Sequence, residues 1–244
     1  MSYEEITLKD PNPIKRFLQN SRFEDAINFI PKNILPEKIL DFGGGNGELS
    51  LRLTKKYLDT QITCYEPSES MINEAKNKIS GASNVTLTDS IEPFTNQNFD
   101  VIFSLEVFEH LPEKESLDAL NTIKKSLHHN GILIIGVPNE IFLAACYKGL
   151  FRMLRRYGDH DAKPMNILKS CFGFPPKYRP TQLLDSTINY HSHHLGFDYR
   201  TLHHTLCKNF NSVQLCLSPS PWLTRIASPE IYFVASAPKL GITT

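Results

Sequence analysis

The sequence predicts an α/β protein built on a doubly wound, mostly parallel, seven-stranded sheet. Apolar runs of strand length alternate along the chain with segments whose apolar residues recur at helical spacing. Two of these runs, 99–105 and 132–137, are mostly apolar, which is typical of strands covered by helices on both faces. A glycine-rich stretch directly follows the first run, at a position where such sheets bind ligands.

The strands are predicted from short apolar runs bounded by turn residues. They cover residues 38–42, 62–66, 85–89, 99–105, 132–137, 213–217 and 230–235. The run 85–89 alternates with a period of two, and the pair Asn130-Gly131 marks the turn before the fifth strand. Seven strands of this length are enough for one sheet with helices on both faces.

The helices are predicted from apolar residues at a spacing of three and four. They cover residues 13–30, 48–58, 68–79, 113–128 and 199–208. The first lies in a lead-in segment, residues 1–35, and Ser68 is an expected N-cap of the third. The expected inward side chains are Ile14, Phe17, Leu18 and Phe29, then Leu49, Leu53 and Tyr57, then Met71, Ile72, Ala75 and Ile79, then Leu117, Leu120, Ile123 and Leu127.

The alternation stops at Pro138, and residues 139–197 are interpreted as an insertion at the carboxyl edge of the sheet. Residues 141–156 within it predict an amphipathic helix. Its apolar stripe is Leu143, Tyr147, Leu150 and Leu154, and its basic stripe is Lys148, Arg152, Arg155 and Arg156. Such a helix can be a lid with a solvated basic face, or can make a peripheral contact with an anionic membrane. The arginines can also bind an acidic substrate group, and Phe172, Phe174, Tyr178 and Tyr190 can line an acceptor pocket or form the core of the lid.

The composition is that of one globular domain spanning residues 1–244. It is 41% hydrophobic, 10% aromatic and 21% charged, over a length sufficient for one substantial core. Lysine plus arginine equals aspartate plus glutamate, 26 each, so the formal net charge is zero. Proteins that bind nucleic acids usually carry a basic excess, and its absence argues against a nucleic-acid partner.

The cysteines and the N-terminus predict a cytoplasmic protein. Cys64, Cys146, Cys171, Cys207 and Cys216 are scattered and show no C-x-x-C spacing, which is typical of reduced thiols. Residues 1–10 are acidic and lack the apolar run of a signal peptide. No segment has the roughly 20 consecutive apolar residues of a membrane span.

The glycine-rich stretch, residues 39–48, carries the clearest chemical pattern. Gly43, Gly45 and Gly47 alternate with other residues, and Asp41 precedes them. Glycines there allow close approach of a ligand, and the following helix N-terminus offers free N–H groups. Dinucleotide enzymes have the spacing G-x-G-x-x-G instead, and a carboxylate suits a cationic amino-acid ligand better than a pyrophosphate.

The segment Asp41–Gly47 resembles the first motif of class I S-adenosylmethionine-dependent methyltransferases. Four more segments match that family in the expected order: Glu66-Pro67, Asp89-Ser90-Ile91, residues 99–111, and residues 130–139. The resemblance implies a Rossmann-like fold, S-adenosylmethionine as cofactor and S-adenosylhomocysteine as product. The cofactor-binding residues that it implies are Asp41, Gly43, Gly44, Gly45, Asn46, Gly47, Glu66, Pro67, Asp89, Ser90, Ile91, Leu105 and Glu106.

Two of these residues have specific roles in the family. The acid at the position of Glu66 accepts hydrogen bonds from both ribose hydroxyls, which an ionised carboxylate can do because it is an acceptor only. The acid at the position of Asp89 binds the adenine amino group, and the residues after it flank the ring. These roles are carried to this chain by the resemblance alone.

The acceptor site is predicted just past the fourth strand. Glu106, Glu109 and His110 lie on one face if the chain is helical there, and a histidine group at 191–194 precedes the last helix. The segment 99–111 resembles that of ubiquinone-pathway O-methyltransferases, which carry a similar Glu-x-x-Glu-His and a later histidine. That resemblance implies Glu109, His110 and His194 as catalytic residues, and a hydroxyl of a small molecule as the methyl acceptor.

Other interpretations stay open. Small-RNA 3′-end 2′-O-methyltransferases hold a divalent metal with a similar motif, and the ligands here would be Glu106, Glu109, His110 and either His193 or His194. Metal-free methyltransferases use the same motif to orient a loop, so the residues leave the presence and identity of a metal undecided. A non-catalytic, cofactor-binding regulatory module predicts a broken glycine loop, whereas here the loop is intact.

Overall fold

The computed structural model describes residues 13–184, 188–219 and 222–239. Two predictions lie outside the described residues: the acidic segment 1–10, and the inward side chains Ile14, Phe17 and Leu18. No helix in the described ranges combines the length and apolar character needed to cross a lipid bilayer.

The predicted doubly wound sheet is confirmed. Its strands are β1 (Lys38–Phe42), β2 (Gln61–Tyr65), β3 (Val85–Thr88), β4 (Phe99–Leu105), β5 (Leu127–Pro138), β8 (Phe210–Ser218) and β9 (Glu230–Pro238). They lie in the order β3-β2-β1-β4-β5-β9-β8. The first five are parallel, and β9 runs antiparallel to both of its neighbours. A separate hairpin pairs β6 (Thr181–Leu184) with β7 (Ile188–His191).

The helices are α1 (Pro13–Asn28), α2 (Glu48–Lys56), α3 (Glu69–Ile79), α4 (Glu113–Ser126), α5 (Phe142–Arg156), α6 (Pro164–Cys171) and α7 (Tyr199–Asn209). The fourth helix ends two residues earlier than predicted. It ends there because Leu127 takes an extended conformation and pairs with Phe99, which starts β5 before the predicted Ile132. A register shift between Phe99 and Val101 accommodates the added residues.

The core consists of two apolar layers, one on each face of the sheet. One layer contains Ile102 and Leu133 from the sheet and is covered by α4 and α7, whose contributions include Ile123 and Leu206. The other contains Phe103 and Ile134 and is covered by α1 and α2, with Ile27 and Leu53 among the contacts. Alternate residues of β4 and β5 therefore point to opposite faces, as expected of buried parallel strands.

The insertion, residues 139–197, is structured throughout the part that is described. It contains α5, a short 3₁₀ turn at His160–Ala162, α6 and the β6–β7 hairpin. Helices α5 and α6 pack closely at Gly149, where a Cβ atom would lie 2.4 Å from Cγ2 of Ile167. The same packing brings Cys146 and Cys171 to a Cα–Cα distance of 5.4 Å, and they form a disulfide. The expectation that all five cysteines are reduced is therefore wrong for this pair, while Cys64, Cys207 and Cys216 are free.

Helix α5 exposes only part of the predicted basic stripe, since Arg155 and Arg156 are exposed and the other two cations are not. The cations Lys148 and Arg152 point inward, toward the buried carboxylate of Glu140. The apolar stripe points outward, and Leu150 and Leu154 are 57% and 78% exposed. A buried carboxylate requires a paired charge, so the cations occupy the inner face and the apolar residues are left on the outer one.

Candidate functional site

A cavity of about 1000 Å³ opens at the carboxyl ends of β1, β2, β4 and β5. This edge of the sheet is where open α/β folds bind ligands. The glycine loop and Glu66 line one end of the cavity, and His110 and His194 line the other. Helix α5 contributes Tyr147, Lys148 and Arg152 to its wall.

The glycine loop holds its shape through backbone hydrogen bonds to β2. The N–H groups of Gly43 and Gly44 donate to the carbonyl of Tyr65 at 2.8 and 2.9 Å. Gly43 and Gly47 have φ of 76° and 77°, a conformation that glycine adopts without strain. A Cβ on Gly43 would also lie 2.4 Å from Cγ2 of Val107, so a side chain does not fit there. Gly43, Gly44, Gly45 and Asn46 line the cavity. Gly47 is the N-cap of α2 and is not part of the lining.

Asp41 lies behind the loop and is buried. Its Oδ2 accepts a hydrogen bond of 2.7 Å from the Ser50 hydroxyl, which anchors the start of α2 to the end of β1. Burial raises the pKa of Asp41 to about 6, although the Ser50 hydrogen bond acts in the opposite direction. The cavity lining does not include this carboxyl, so Asp41 supports the loop from behind, and its contact with a cofactor stays a prediction.

Glu66 ends β2 and faces the cavity beside the loop. Its Oε2 accepts from the N–H of Gly45 at 2.8 Å, and its Oε1 accepts from the N–H of Ser68 at 2.9 Å. These two backbone contacts, one to each carboxylate oxygen, fix the side chain in place beside the glycine loop.

The region past β3 is arranged differently from the expectation for Asp89. Pro67 and Ile91 line the cavity, with Val107 and Leu111 also in the lining. Asp89 is exposed and is absent from the lining, and the Ser90 hydroxyl donates to Glu92. These four side chains give this part of the cavity an apolar lining, and the contact of Asp89 with an adenine amino group stays a prediction.

A buried charge cluster, which the sequence did not indicate, lies beside the glycine loop. Arg22 donates to Oε1 of Glu230 at 2.7 Å and lies 3.3 Å from Oε2 of Glu106. Burial raises the pKa of Glu106 to about 8, because desolvation and the nearby Glu230 outweigh the attraction of Arg22. Glu106 has φ of 57°, an unusual conformation for a residue other than glycine. Leu105 and Glu106 line the cavity, and their contact with a cofactor stays a prediction. Arg22 and Glu230 belong to no local motif and come from distant parts of the chain.

The acceptor end brings together Glu109, His110 and His194. His110 Nδ1 lies 2.7 Å from the carbonyl of His191, which can only accept, so Nδ1 carries the proton and Nε2 has the free lone pair. His110 Nε2 lies 3.2 Å from Nε2 of His194, which is then the donor. Burial lowers the pKa of both rings, so they are neutral at neutral pH.

Glu109 is fully buried behind this histidine pair. Its Oε1 lies 3.8 Å from His110 Nε2, and neither carboxyl oxygen has a hydrogen-bond partner among the described residues. Burial and the nearby Glu106 raise its pKa well above the ordinary value. Glu109, His110 and His194 form a group that can hold a metal ion, with donor atoms within 4.8 Å of one another.

Two of the residues considered as metal ligands lie elsewhere. His193 is 3.5 Å from Asp161, on the side of the lid, so the histidine beside His110 is His194. Glu106 is turned toward Arg22 and is not in the group. The guanidinium of Arg179 donates to the carbonyls of Glu109 and His193 at 2.5 and 2.7 Å and ties the two segments together.

Glu140 fixes the inner face of α5 at the acceptor end. Arg152 donates two hydrogen bonds of 2.8 Å to its carboxylate, and Lys148 lies at 3.4 Å. Burial alone would raise the pKa of Glu140, but the two cations outweigh it and lower the pKa to about 2. Lys148 and Arg152 are thus engaged within the protein, which argues against them as the clamp for an acidic substrate group.

Comparisons with known proteins agree with the pattern of motifs. Residues 40–135 match the methyltransferase-domain family. Over 101 residues the chain is 34% identical to an uncharacterised methyltransferase of Anoxybacillus flavithermus, covering 39% of this chain and 44% of that protein. Over 83 residues it is 30% identical to the malonyl-[acyl-carrier protein] O-methyltransferase of Geobacter sulfurreducens, covering 33% of this chain and 31% of that protein. The chain therefore matches less than half the length of these curated relatives.

Solved structures resemble the chain over nearly its whole length. The methyltransferase domain of bacterial CtHen1 has a TM-score of 0.59 at 17% identity, covering 90% of this chain and 99% of that one. The N-methyltransferase NodS of Bradyrhizobium japonicum, in complex with S-adenosylhomocysteine, has a TM-score of 0.58 at 14% identity, covering 98% and 94%. At such identities the likeness establishes the fold, which confirms the Rossmann-like prediction. The resemblance to class I methyltransferases is confirmed on the matched segment.

The first prediction concerns the buried carboxyl of Asp41. Its pKa is raised from 3.8 to about 6, so the folded protein binds this proton more tightly than the unfolded chain does. The stabilisation is therefore fully present below about pH 4 and is lost as the pH rises through about 6. We expect the free energy of unfolding of the parent to fall relative to that of Asp41→Asn by about 2 kcal/mol between about pH 4 and pH 7.

Urea unfolding at several pH values measures this difference. Asp59→Asn is the matched control because Asp59 is exposed, and its curve should run parallel to that of the parent. A difference between parent and Asp41→Asn that does not change with pH would contradict the effect assigned to burial.

Proposed function

We propose that this chain binds S-adenosylmethionine and transfers its methyl group to a hydroxyl oxygen of a small-molecule acceptor. The observation that carries the proposal is the continuity of one cavity from the glycine loop and Glu66 to His110 and His194. A donor bound at the first end and an acceptor bound at the second would face each other inside it. Such positioning supplies much of the catalysis when the methyl group is already activated on a sulfonium.

The fixed groups fit the parts of this cofactor. Glu66 is held beside the glycine loop by two backbone N–H groups, and a carboxylate at this position can accept hydrogen bonds from ribose hydroxyls. Pro67 and Ile91 offer apolar surface to the adenine ring. The charge cluster of Arg22, Glu106 and Glu230 has two acids and one cation. The raised pKa of Glu106, about 8, leaves that acid mostly protonated near neutral pH, and the ammonium and sulfonium of a methionyl group would favour its ionised form.

His110 is the group best placed to take the proton of an acceptor hydroxyl. Its Nδ1–H is directed at the His191 carbonyl, so the Nε2 lone pair faces His194 and the cavity. Its lowered pKa keeps the ring neutral and able to accept a proton. The carboxyl of Glu109 lies 3.8 Å from Nε2. Its raised pKa favours the neutral acid, and a positive charge on the ring would favour its ionised form. His194 would then either orient the acceptor hydroxyl through a hydrogen bond or be displaced by that hydroxyl from its contact with His110 Nε2.

A second candidate is an RNA 2′-O-methyltransferase with a divalent metal. The cluster of Glu109, His110 and His194 favours it, since both carboxyl oxygens of Glu109 are buried without a partner among the described residues. One carboxylate and two imidazoles suit Mg, Mn or Zn, and a bound metal would supply Lewis-acid activation of a hydroxyl. Glu106, paired with Arg22, departs from the four-ligand set, and the zero net charge does not favour RNA.

The cofactor part is tested by Glu66→Ala with S-adenosylhomocysteine in isothermal titration calorimetry. We expect the affinity to fall about 100-fold or more, because two hydrogen bonds to a charged acceptor are lost. Asp59→Ala, an exposed acid away from the cavity, should bind as the parent does. Unchanged binding by Glu66→Ala would contradict the proposed ribose contact. Absence of S-adenosylhomocysteine binding by the parent would contradict the proposed function.

The acceptor is tested by transfer of labelled methyl from S-adenosylmethionine into fractions of a cell lysate. We expect label in a small-molecule fraction, whether extracted by solvent or aqueous. Label in RNA would support the second candidate. Cofactor binding with no transfer to any fraction would favour a regulatory module and count against the enzyme.

Proton transfer is tested by His110→Ala with an acceptor found in that way. We expect kcat to fall by about 10² to 10⁴, the usual contribution of a general base, while cofactor affinity changes little. In the parent, kcat should rise with an apparent pKa below 6.5, since burial lowers the pKa of His110. His204→Ala, an exposed histidine, is the control. A kcat for His110→Ala equal to that of the parent would remove His110 as the base.

Metal dependence separates the two candidates. The leading proposal predicts that activity survives dialysis against EDTA, and that Glu109→Gln binds no less Mn²⁺ than the parent does. The second candidate predicts loss of activity, its recovery with a divalent ion, and Mn²⁺ binding that disappears in Glu109→Gln. Calorimetric titration with Mn²⁺ reads the binding without relying on turnover.

A further inference from the structure

The outer face of α5 carries an exposed apolar stripe, and only at its Tyr147 edge do the described residues show a contact, between the Tyr147 hydroxyl and the Ala227 carbonyl at 3.4 Å. Leu143, Tyr147, Leu150, Leu154 and Tyr157 follow one another at helical spacing, and all five are exposed. On a lid packed against its domain, such a stripe would face inward. Here the inward face carries Lys148 and Arg152 instead.

This orientation is held by interactions of the lid itself. Glu140 pairs with both inward cations, and Asp161 is 2.7 Å from Arg156 and 3.5 Å from Arg152. Rotating α5 to bury the stripe would break these buried ion pairs and leave charges without partners, which is costly. The apolar stripe is therefore the built outer surface of the lid.

The apolar surface extends beyond α5. Most of the large apolar side chains that are exposed in the described ranges fall between residues 143 and 178. Besides the stripe and Phe151, they are Met165, Leu168, Phe172, Phe174 and Tyr178. Of the four aromatic residues that the sequence offers as pocket lining, Tyr190 lines the cavity. The other three, Phe172, Phe174 and Tyr178, are exposed on the insertion. An exposed apolar area of this extent usually marks an interaction surface.

Positive charge is concentrated around the same surface. The exposed cations between residues 142 and 178 are Arg155, Arg156, Lys163, Lys169 and Lys177, and Asp159 is the one exposed acid of that segment. The whole chain has no net charge, so this excess is local. Cations flanking an apolar stripe complement a surface that is both apolar and anionic.

We propose that the lid surface, residues 142–178, docks on an anionic lipid bilayer with α5 lying in the plane of the interface. Apolar side chains would enter the boundary between headgroups and acyl chains while the cations contact anionic headgroups. Trp222 is 80% exposed in the loop that hydrogen-bonds to α5, where the Ala144 N–H donates to the carbonyl of Ile226 at 3.2 Å. Tryptophan favours such interfaces, so this loop extends the docking surface.

Docking would bring the cavity close to the membrane. The helix whose outer face carries the stripe also lines the cavity through Tyr147, Lys148 and Arg152. An amphiphilic acceptor held in the bilayer would thus have a short path to His110. The docking itself does not rest on methyl transfer, and its test uses binding alone.

The experiment is flotation of the purified full chain with vesicles of phosphatidylcholine alone and of equimolar phosphatidylcholine and phosphatidylglycerol. We expect partition into the anionic vesicles, weaker partition into the neutral ones, and loss of the difference at high salt because screening removes the headgroup attraction. Trp222 is the chain's one tryptophan, so its fluorescence should shift to the blue on anionic vesicles.

The double variant Leu150→Glu, Leu154→Glu places charges in the centre of the stripe. Both side chains are exposed, so the fold should be kept, which circular dichroism checks. We expect partition into anionic vesicles to fall by about 100-fold, since each buried leucine is worth about tenfold or more. Leu35→Glu, Leu58→Glu makes the same change at exposed leucines away from the lid and should partition as the parent does.

The charge contribution is tested by Arg155→Gln, Lys163→Gln, Lys169→Gln, which should bring partition into anionic vesicles down toward that into neutral ones. Three results would overturn the proposal. The first is that the parent fails to float with anionic vesicles, and the second is that the double leucine variant floats as well as the parent. The third is a stable dimer in sedimentation that the double variant converts to monomers, without vesicle binding, which would assign the stripe to a second copy of the chain.

Discussion

The order of the strands is the constraint on which the site depends. The chain adds β2 and β3 on one side of β1 and then adds β4 and β5 on the other. The connections on the two sides leave in opposite directions, so a crevice remains at the carboxyl ends of β1 and β4. The glycine loop follows β1, and Glu106 follows β4, so the path of the backbone alone places both at this crevice. Only residues without a side chain fit where the loop approaches Val107.

Buried charge is what shapes the rest of the cavity. Glu140, Asp161, Glu106 and Glu230 all lie at or near the carboxyl edge with little exposure, and each has an arginine or lysine beside it. Removing a carboxylate from water is costly unless a partner is near, so these pairs decide which helix face turns inward. The cofactor end and the lid are both positioned in this way. Glu109 is different because its carboxyl oxygens have no partner among the described residues, and this makes the histidine pair beside it chemically distinctive.

The lid shows how one helix serves two surfaces. Its inner face is tied to the domain through ion pairs, the close packing of Gly149 on Ile167 and the disulfide to α6. Its outer face is consequently apolar and solvated. Exposing an apolar stripe to water is unfavourable, and burial against another surface would remove that cost. The exposed stripe is therefore consistent with the proposed contact of this face. The cavity and the docking surface are two sides of the same helix, which links access to the site with the environment of the lid.

The sequence by itself determined the elements and the residues on the glycine-loop side of the cavity. Helix and strand periodicity, the glycine loop, and acids at strand ends are local patterns, and local backbone geometry turns them into the same structure wherever they occur. The positions of Gly43 to Asn46, Glu66 and Ile91 around the cavity follow from that. The ends of elements depend on tertiary pairing as well, since Leu127 joins the sheet by pairing with Phe99 of β4.

The tertiary structure alone decided which residues from distant segments meet. Arg22 and Glu230 are 208 positions apart and belong to no motif. His194, not His193, meets His110 because Arg179 and the hydrogen bonds between His110 and His191 hold the two segments together. The two stripes of α5 were visible in the sequence, but the direction in which they face was not. Periodicity defines the faces of a helix, whereas the buried carboxylate of Glu140, which pairs with the basic face, decides which one turns inward.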